Sequence, residues 1–217
     1  MEINKDIDEL ASRVPSIKEQ ICSEEGSKTA LVLPLLQILG YDIFNPKQVM
    51  PELIADIGTK RGERVDYALM SAGQPKLILE CKKLEDKLDK SGVSQLFRYF
   101  TALKVKFAVL TNGVTYLFFS DIETPNIMDT KPFFRFCLDS YTQADLEFLY
   151  RFRKGCLVGQ MKSLRGLCKK KKLRSMVRAE ITSILNTSKE FVTQIKDSLS
   201  GTNLSSVTKK ELDLVCR

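Results

Sequence analysis

The chain has 217 residues, 43% of them hydrophobic, with a net charge of +7 and no histidine. That length supports one sizeable core plus an appendage, and the missing imidazoles exclude Ser-His-Asp triads, His-ligated zinc and H-E-x-x-H chemistry. With no apolar run of about 18 residues, no leader-like "MEINKDIDEL" and six cysteines lacking C-x-x-C pairing, the expectation is a cytoplasmic protein with reduced thiols and no membrane partner.

Ile3, Ile7, Leu10, Val14, Ile17 and Ile21 recur at alternating spacings of three and four, which predicts an amphipathic helix over residues 1–22. Pro15 should kink or end it. The apolar stripe fits either dimerisation or packing on the chain's own core, and packing on the core is preferred. A second helix opens after Ser23, a good N-cap, and runs through "EEGSKTALVLPLLQIL" to a stop at Gly40, with a further kink expected at Pro34.

"YDIFNPKQVMPELIAD" reads as extended chain broken by prolines. Strands follow at Val65–Met70 and Lys76–Lys82, joined by the turn "SAGQP". "SGVSQLFRYFTAL" returns to helical spacing, "KFAVLTNG" and "VTYLFFSD" form a hairpin about Asn112-Gly113, and "PFFRFCLD" adds a strand. Beyond Asp145 the pattern is helical and basic. The order predicts an α/β fold, a mixed sheet with helices on both faces.

The hairpin holds the most informative charges. A turn centred near Gly73 gives paired positions a sum of about 146, which sets Asp66 opposite Glu80 on one face, with Lys82 beside them. Cys81 and Val65 then point to the other side. Two facing carboxylates repel. Either Lys82 neutralises them as a surface salt bridge, or a divalent cation sits between them. Mg²⁺ suits the second case, since it takes one or two protein carboxylates, waters and phosphate oxygens. Such an ion polarises a phosphodiester and acidifies a bound water, with Lys82 positioned to orient that water or stabilise developing charge.

Gln95 and Tyr99 share a face of the next helix, with Arg98 close to it. Glu24 and Glu25 stand in the first turn of the helix before the hairpin, and helical phase alone does not choose between them. Simple helix-dipole partnership would also account for both.

Helix Glu, then Asp, then Glu-x-Lys, then Gln-x-x-x-Tyr resembles the PD-(D/E)xK nuclease superfamily. More narrowly, "EEGSKTALVLPLLQILGYDIFNPKQVMPE", "GERVDYALM", "LILECKKL", "QLFRYF" and "FAVLTNGVTYLFFSDIE" are similar to the N-terminal domain of type I restriction enzyme R subunits, over about residues 23–152. The resemblance implies a restriction-endonuclease-like αβββαβ core and Mg²⁺-dependent DNA cleavage, with Mn²⁺ as a substitute. It assigns Glu24, Asp66 and Glu80 to the metal, with Glu25 as the alternative helix carboxylate. Lys82 becomes the catalytic lysine, and Gln95 and Tyr99 the supporting helix pair. Glu24 is favoured because it stands three positions before Ser27, where the family usually has Glu-x-x-Thr. Val65 replaces the superfamily's proline. No G-x-x-x-x-G-K-[ST] loop occurs, so the expectation is either a stand-alone nuclease or a small subunit that borrows a motor or specificity partner, and two-strand cutting would call for a homodimer.

Charge divides the chain unevenly. Residues 151–217 hold 16 Lys and Arg against 5 Asp and Glu, leaving 18 against 22 for residues 1–150. The expected organisation is therefore an N-terminal helix (1–22), a nuclease-like domain (23–150) and a basic helical extension (151–217). Lys169, Lys170, Lys171, Lys172 and Arg174 crown the extension. With Lys83, Arg98 and Tyr99 near the site, they are the expected DNA contacts, set against the plainer reading of a solvated helix face. Leu173, Val177, Ile181, Ile184, Phe191 and Ile195 add an apolar stripe for packing or dimerisation.

Overall fold

The computed structural model describes residues 2–55, 62–159 and 161–199; Asp56, Cys216 and the side chains of Ile3, Phe191 and Ile195 lie outside the described parts. Chain contacts divide it into a compact unit Met1–Lys172 and a second from Leu173 on.

Helix α1, Glu2–Ile17, carries Pro15 two residues from its end. It buries Ile7, Leu10 and Val14 in the main core, so the stripe packs on the chain's own sheet side. Each such side chain contributes roughly 1.5–3 kcal/mol by leaving water. Ser23 caps the next helix by accepting from the Gly26 N–H, at 3.0 Å. Instead of a simple kink, this helix runs as α2, Glu24–Ser27, a π-helical turn over Lys28–Val32, and α3, Leu33–Ile38. Pro34 has no N–H to give, and the preceding turn widens so that Leu33 N–H bonds Lys28 C=O. Gly40, at φ +85°, ends the helix.

Among the described residues, six strands form one sheet in sequential order: β1 Val49–Ile54, β2 Arg64–Ser71, β3 Gln74–Cys81, β4 Phe107–Thr111, β5 Thr115–Ser120 and β6 Phe134–Cys137. All neighbours are antiparallel except β3 and β4. That parallel pair needs a crossover, supplied by α4, Lys90–Leu103. Pro51 sits in β1, an edge strand, where a missing donor is tolerated. The β2–β3 turn is tighter than expected. Ala72 and Gly73 alone make it, both at positive φ, as a two-residue hairpin of the primed type requires.

Alternation along β3 and β4 separates two cores. Leu77, Leu79, Phe107 and Val109 face α1, α3 and the C-terminal helices, while Ile78, Ala108 and Leu110 face Leu96, Tyr99 and Phe100 of α4. Asp89 fixes the start of α4 by accepting from the N–H groups of Ser91 and Gly92. Gly92 lies against Leu110, and a Cβ there would come within 3.1 Å of it. Gly113, at φ +91° in the β4–β5 turn, packs the same way on Leu31, 2.9 Å from where its Cβ would be. Two close approaches thus hold α4 and the π turn against the sheet.

Past the sheet come α5, Gln143–Leu149, α6, Lys154–Gly159, and α7, Met161–Leu199. Thr142 and Asp145 form a capping box at α5. Leu157, Leu164 and Cys168 join the main core. No helix among the described residues is long and apolar enough to cross a membrane.

Candidate active site

The predicted register holds over three pairs, beyond a bulge between Leu69 and Met70. Tyr67, Ala68 and Leu69 pair with Leu79, Ile78 and Leu77, a constant sum of 146. The ladder ends one pair short of Asp66 and Glu80. There the Cys81 N–H donates to Asp66 Oδ2 at 2.7 Å, so a side chain replaces the backbone partner and the two strands part. The alternation slips at this fork. Val65, expected on the side of Cys81, packs instead with Ala68 and Ile78, while Cys81 remains in the opposite core.

Glu80 is 3% exposed. Its Oε1 receives Lys82 Nζ at 2.9 Å, and its Oε2 is buried with no hydrogen-bond partner. Burial, reinforced by the Asp66 charge, pushes its carboxyl up to about 7 despite Lys82. Lys82, just beyond β3, is pinned by its N–H to Thr111 C=O at 2.8 Å. Its ammonium also donates to Gln95 Oε1 at 3.2 Å, and Gln95 Nε2 donates to the Tyr99 hydroxyl at 3.0 Å. Burial alone would lower the Lys82 pKa, but the bond to Glu80 together with the charges of Glu80, Glu24 and Asp66 raises it above the usual lysine range. Glu80, Lys82, Gln95 and Tyr99 are therefore one connected row, as the helical spacing of the last two foretold.

Lys28 went unread in the sequence. From the π turn it enters the site 4% exposed. Its Nζ stands 2.5 Å from Asp66 Oδ1, 2.7 Å from Glu25 Oε1 and 3.2 Å from Glu24 Oε1. The available signal was an i, i+4 pairing with Glu24. Glu24 is the inner of the two acids: its charge bears on Glu80 and Lys82, whereas the Glu25 side chain is 77% exposed.

No group of three or more His, Cys, Asp or Glu among the described residues is arranged to hold a metal ion, and Glu24 and Asp66 are paired with Lys28. The donor pair Asp66 and Glu80 nevertheless fits a hard cation that takes one or two carboxylates and keeps its waters. The orphaned Glu80 Oε2 is the specific observation, since a buried carboxylate oxygen without a partner is costly.

The basic residues divide. Lys83, Arg98, Lys169, Lys170 and Arg174 are exposed. Arg98 Nε also lies 3.7 Å from Glu63. Lys171 sits over the rings of Phe134 and Phe148, at 4.1 and 4.5 Å, beside Asp145. Lys172 turns inward, 6% exposed, paired with Glu123 at 2.7 Å and Asp129 at 2.9 Å. This departs from its expected place among the DNA contacts, because the helix periodicity that exposes its neighbours sends this ammonium to two acids. Within the second unit, Leu173, Val177, Ile181 and Ile184 are more than half exposed.

The family model described as type I restriction enzyme R protein N terminus matches residues 23–131, from the N-cap of α2 past β5. No curated protein and no solved structure gives a match. The matched half of the chain holds Glu24, Lys28, Asp66, Glu80, Lys82, Gln95 and Tyr99, and by that match the chain belongs to the type I restriction enzyme R protein N-terminal family.

Proposed function

We propose that the chain is a Mg²⁺-dependent endonuclease that hydrolyses DNA phosphodiester bonds, with Mn²⁺ able to substitute. The observation behind this reading is Glu80 Oε2, buried and unpartnered at the strand fork beside Asp66, with Lys82 Nζ on the same carboxyl group. Asp66 and Glu80, helped by Glu24, are the residues that would hold the cation; when bound it supplies polarisation of the phosphodiester and acidification of a water. Lys82 holds its ammonium where it orients the attacking water and stabilises negative charge growing on phosphoryl oxygens. Gln95 fixes Lys82 through its carbonyl and Tyr99 through its amide, so the helix face sets the lysine's direction.

Lys83 and Arg98 contact phosphates beside the site; Lys169 and Lys170, and separately Arg174 of the second unit, bind phosphates electrostatically without base readout. The protein acts in the cytoplasm, as a homodimer where both strands are cut, or with a motor or specificity subunit.

The test is cleavage of supercoiled plasmid and labelled single-stranded DNA in Mg²⁺, Mn²⁺ or EDTA, by wild type and Lys82→Ala. Metal-dependent cutting lost in the variant, with DNA binding retained, is the expected result. Folded wild type that binds DNA yet never cuts in either metal would instead be a non-catalytic binding module on the same fold.

A further inference from the structure

We propose that Lys28 is a built-in stand-in for the metal: its ammonium holds Glu24 and Asp66 together in the metal-free protein and gives up their oxygens when a divalent cation binds. This rests on the nuclease reading and adds a positioning residue to it.

The geometry is that of a saturated cation. An ammonium has three N–H donors, and Lys28 Nζ has three carboxylates within 3.2 Å: Asp66, Glu25 and Glu24. These acids come from separate elements, α2 and β2, so Lys28 is the ion that joins helix to strand. Without it, carboxylates would face each other with nothing between them, an arrangement that repels. Lys28 also touches two of the carboxylates, Asp66 and Glu24, that the cation reading assigns to the metal. One oxygen contact to ammonium and one to metal therefore compete for the same charge.

The charge count agrees. Glu24, Glu25, Asp66 and Glu80 bring four negative charges when ionised, and Lys28 with Lys82 bring two positive ones. A divalent cation would neutralise the remainder. A lysine can keep the acids in position but has no open coordination position for water or phosphate, so its proposed role is placement.

The test uses the full chain, with Mn²⁺ as probe, measured by titration calorimetry and by electron paramagnetic resonance of the free ion. Lys28→Met keeps the length of the side chain and removes the charge. The expected result is Mn²⁺ binding tighter by about tenfold or more than in wild type, with a larger rise in melting temperature between EDTA and Mn²⁺. Equal or weaker Mn²⁺ binding by folded Lys28→Met overturns the proposal. If Lys28→Met does not fold in EDTA, its circular dichroism in Mn²⁺ decides: recovery supports metal replacing lysine. Failure of both Lys28→Met and Lys28→Gln to fold even in saturating Mn²⁺ overturns it. Asp66→Asn separates the two levels. Wild-type Mn²⁺ binding that Asp66→Asn leaves intact sinks the nuclease site and this inference together. Binding that depends on Asp66 but ignores Lys28→Met removes only the role of Lys28.

Discussion

Lys82 donates to one oxygen of Glu80, at 2.9 Å, and leaves the other buried without a partner. The carboxyl is therefore more costly to ionise in the folded protein than in the unfolded chain, burial being the main cause and the Asp66 charge the second. Its folded value is about 7 against an ordinary 4.5. Between those values the folded state keeps a proton that the unfolded chain has lost, so stability falls as pH rises from 4.5 through 7 and then levels off. The size is of order 3 kcal/mol. Urea midpoints in EDTA from pH 4 to 8 should show this decline in wild type and a flatter profile in Glu80→Gln. An unchanged slope in the variant would assign the effect to another group.

Asp66 has two duties that substitutions can separate. Its carboxylate accepts the Cys81 N–H and faces Lys28. Asp66→Asn keeps an acceptor for the backbone but removes the charge, so folding should persist while metal binding and cutting are lost. Asp66→Ala also leaves the Cys81 N–H unsatisfied, a further loss of about 1–3 kcal/mol. Thermal melting of the two variants in EDTA should rank Ala below Asn; the reverse order would mean that the backbone bond is immaterial.

The same fork shows how far the sequence could be read. Gly73 located the turn, but the pairs beside it, Ser71–Gln74 and Met70–Pro75, sum to 145, and a bulge between Leu69 and Met70 supplies the 146 of the pairs leading to Asp66 and Glu80. Period-two arithmetic holds only along regular stretches of strand. It failed for Val65 because a carboxylate replaces the backbone partner there, and no side-chain pattern announces that. Helical spacing joined Gln95 to Tyr99, yet it could not choose between Glu24 and Glu25. Pro34 marked the disturbed helix without revealing a π turn, and the π turn is what delivers Lys28 into the site. The basic run was legible as charge, but the inward turn of Lys172 depends on Glu123 and Asp129, 49 and 43 positions away.

Gln95 touches Lys82 on one side and Tyr99 on the other. Removing it leaves the lysine charged and present, only less directed. Gln95→Ala should therefore cut DNA about 10–100-fold more slowly at little cost in DNA affinity. Tyr99→Phe deletes only the far end of the row and should cost less. Cleavage rates at saturating metal, set beside filter-binding affinities, check this; a loss confined to affinity would make Gln95 a DNA contact instead.

Neighbours in the basic run should behave in opposite ways. Lys169 and Lys170 are exposed, so a Lys169→Ala/Lys170→Ala double variant should melt like wild type and bind DNA more weakly. If both residues meet phosphates, the slope of log affinity against log salt should fall by about 2. Lys172 is buried between Glu123 and Asp129, and Asp129 has 1% of its side chain exposed. Deleting that ammonium leaves the buried Asp129 charge with only the N–H groups of Ile122 and Glu123, a loss below the roughly 3–5 kcal/mol of a fully unpartnered buried charge. Lys172→Ala should therefore lower the melting temperature and, at temperatures where it stays folded, keep the wild-type salt slope. A Lys172 variant of normal stability with a reduced slope would return the residue to the DNA, and would mean that the pairing with Asp129 opens in the complex.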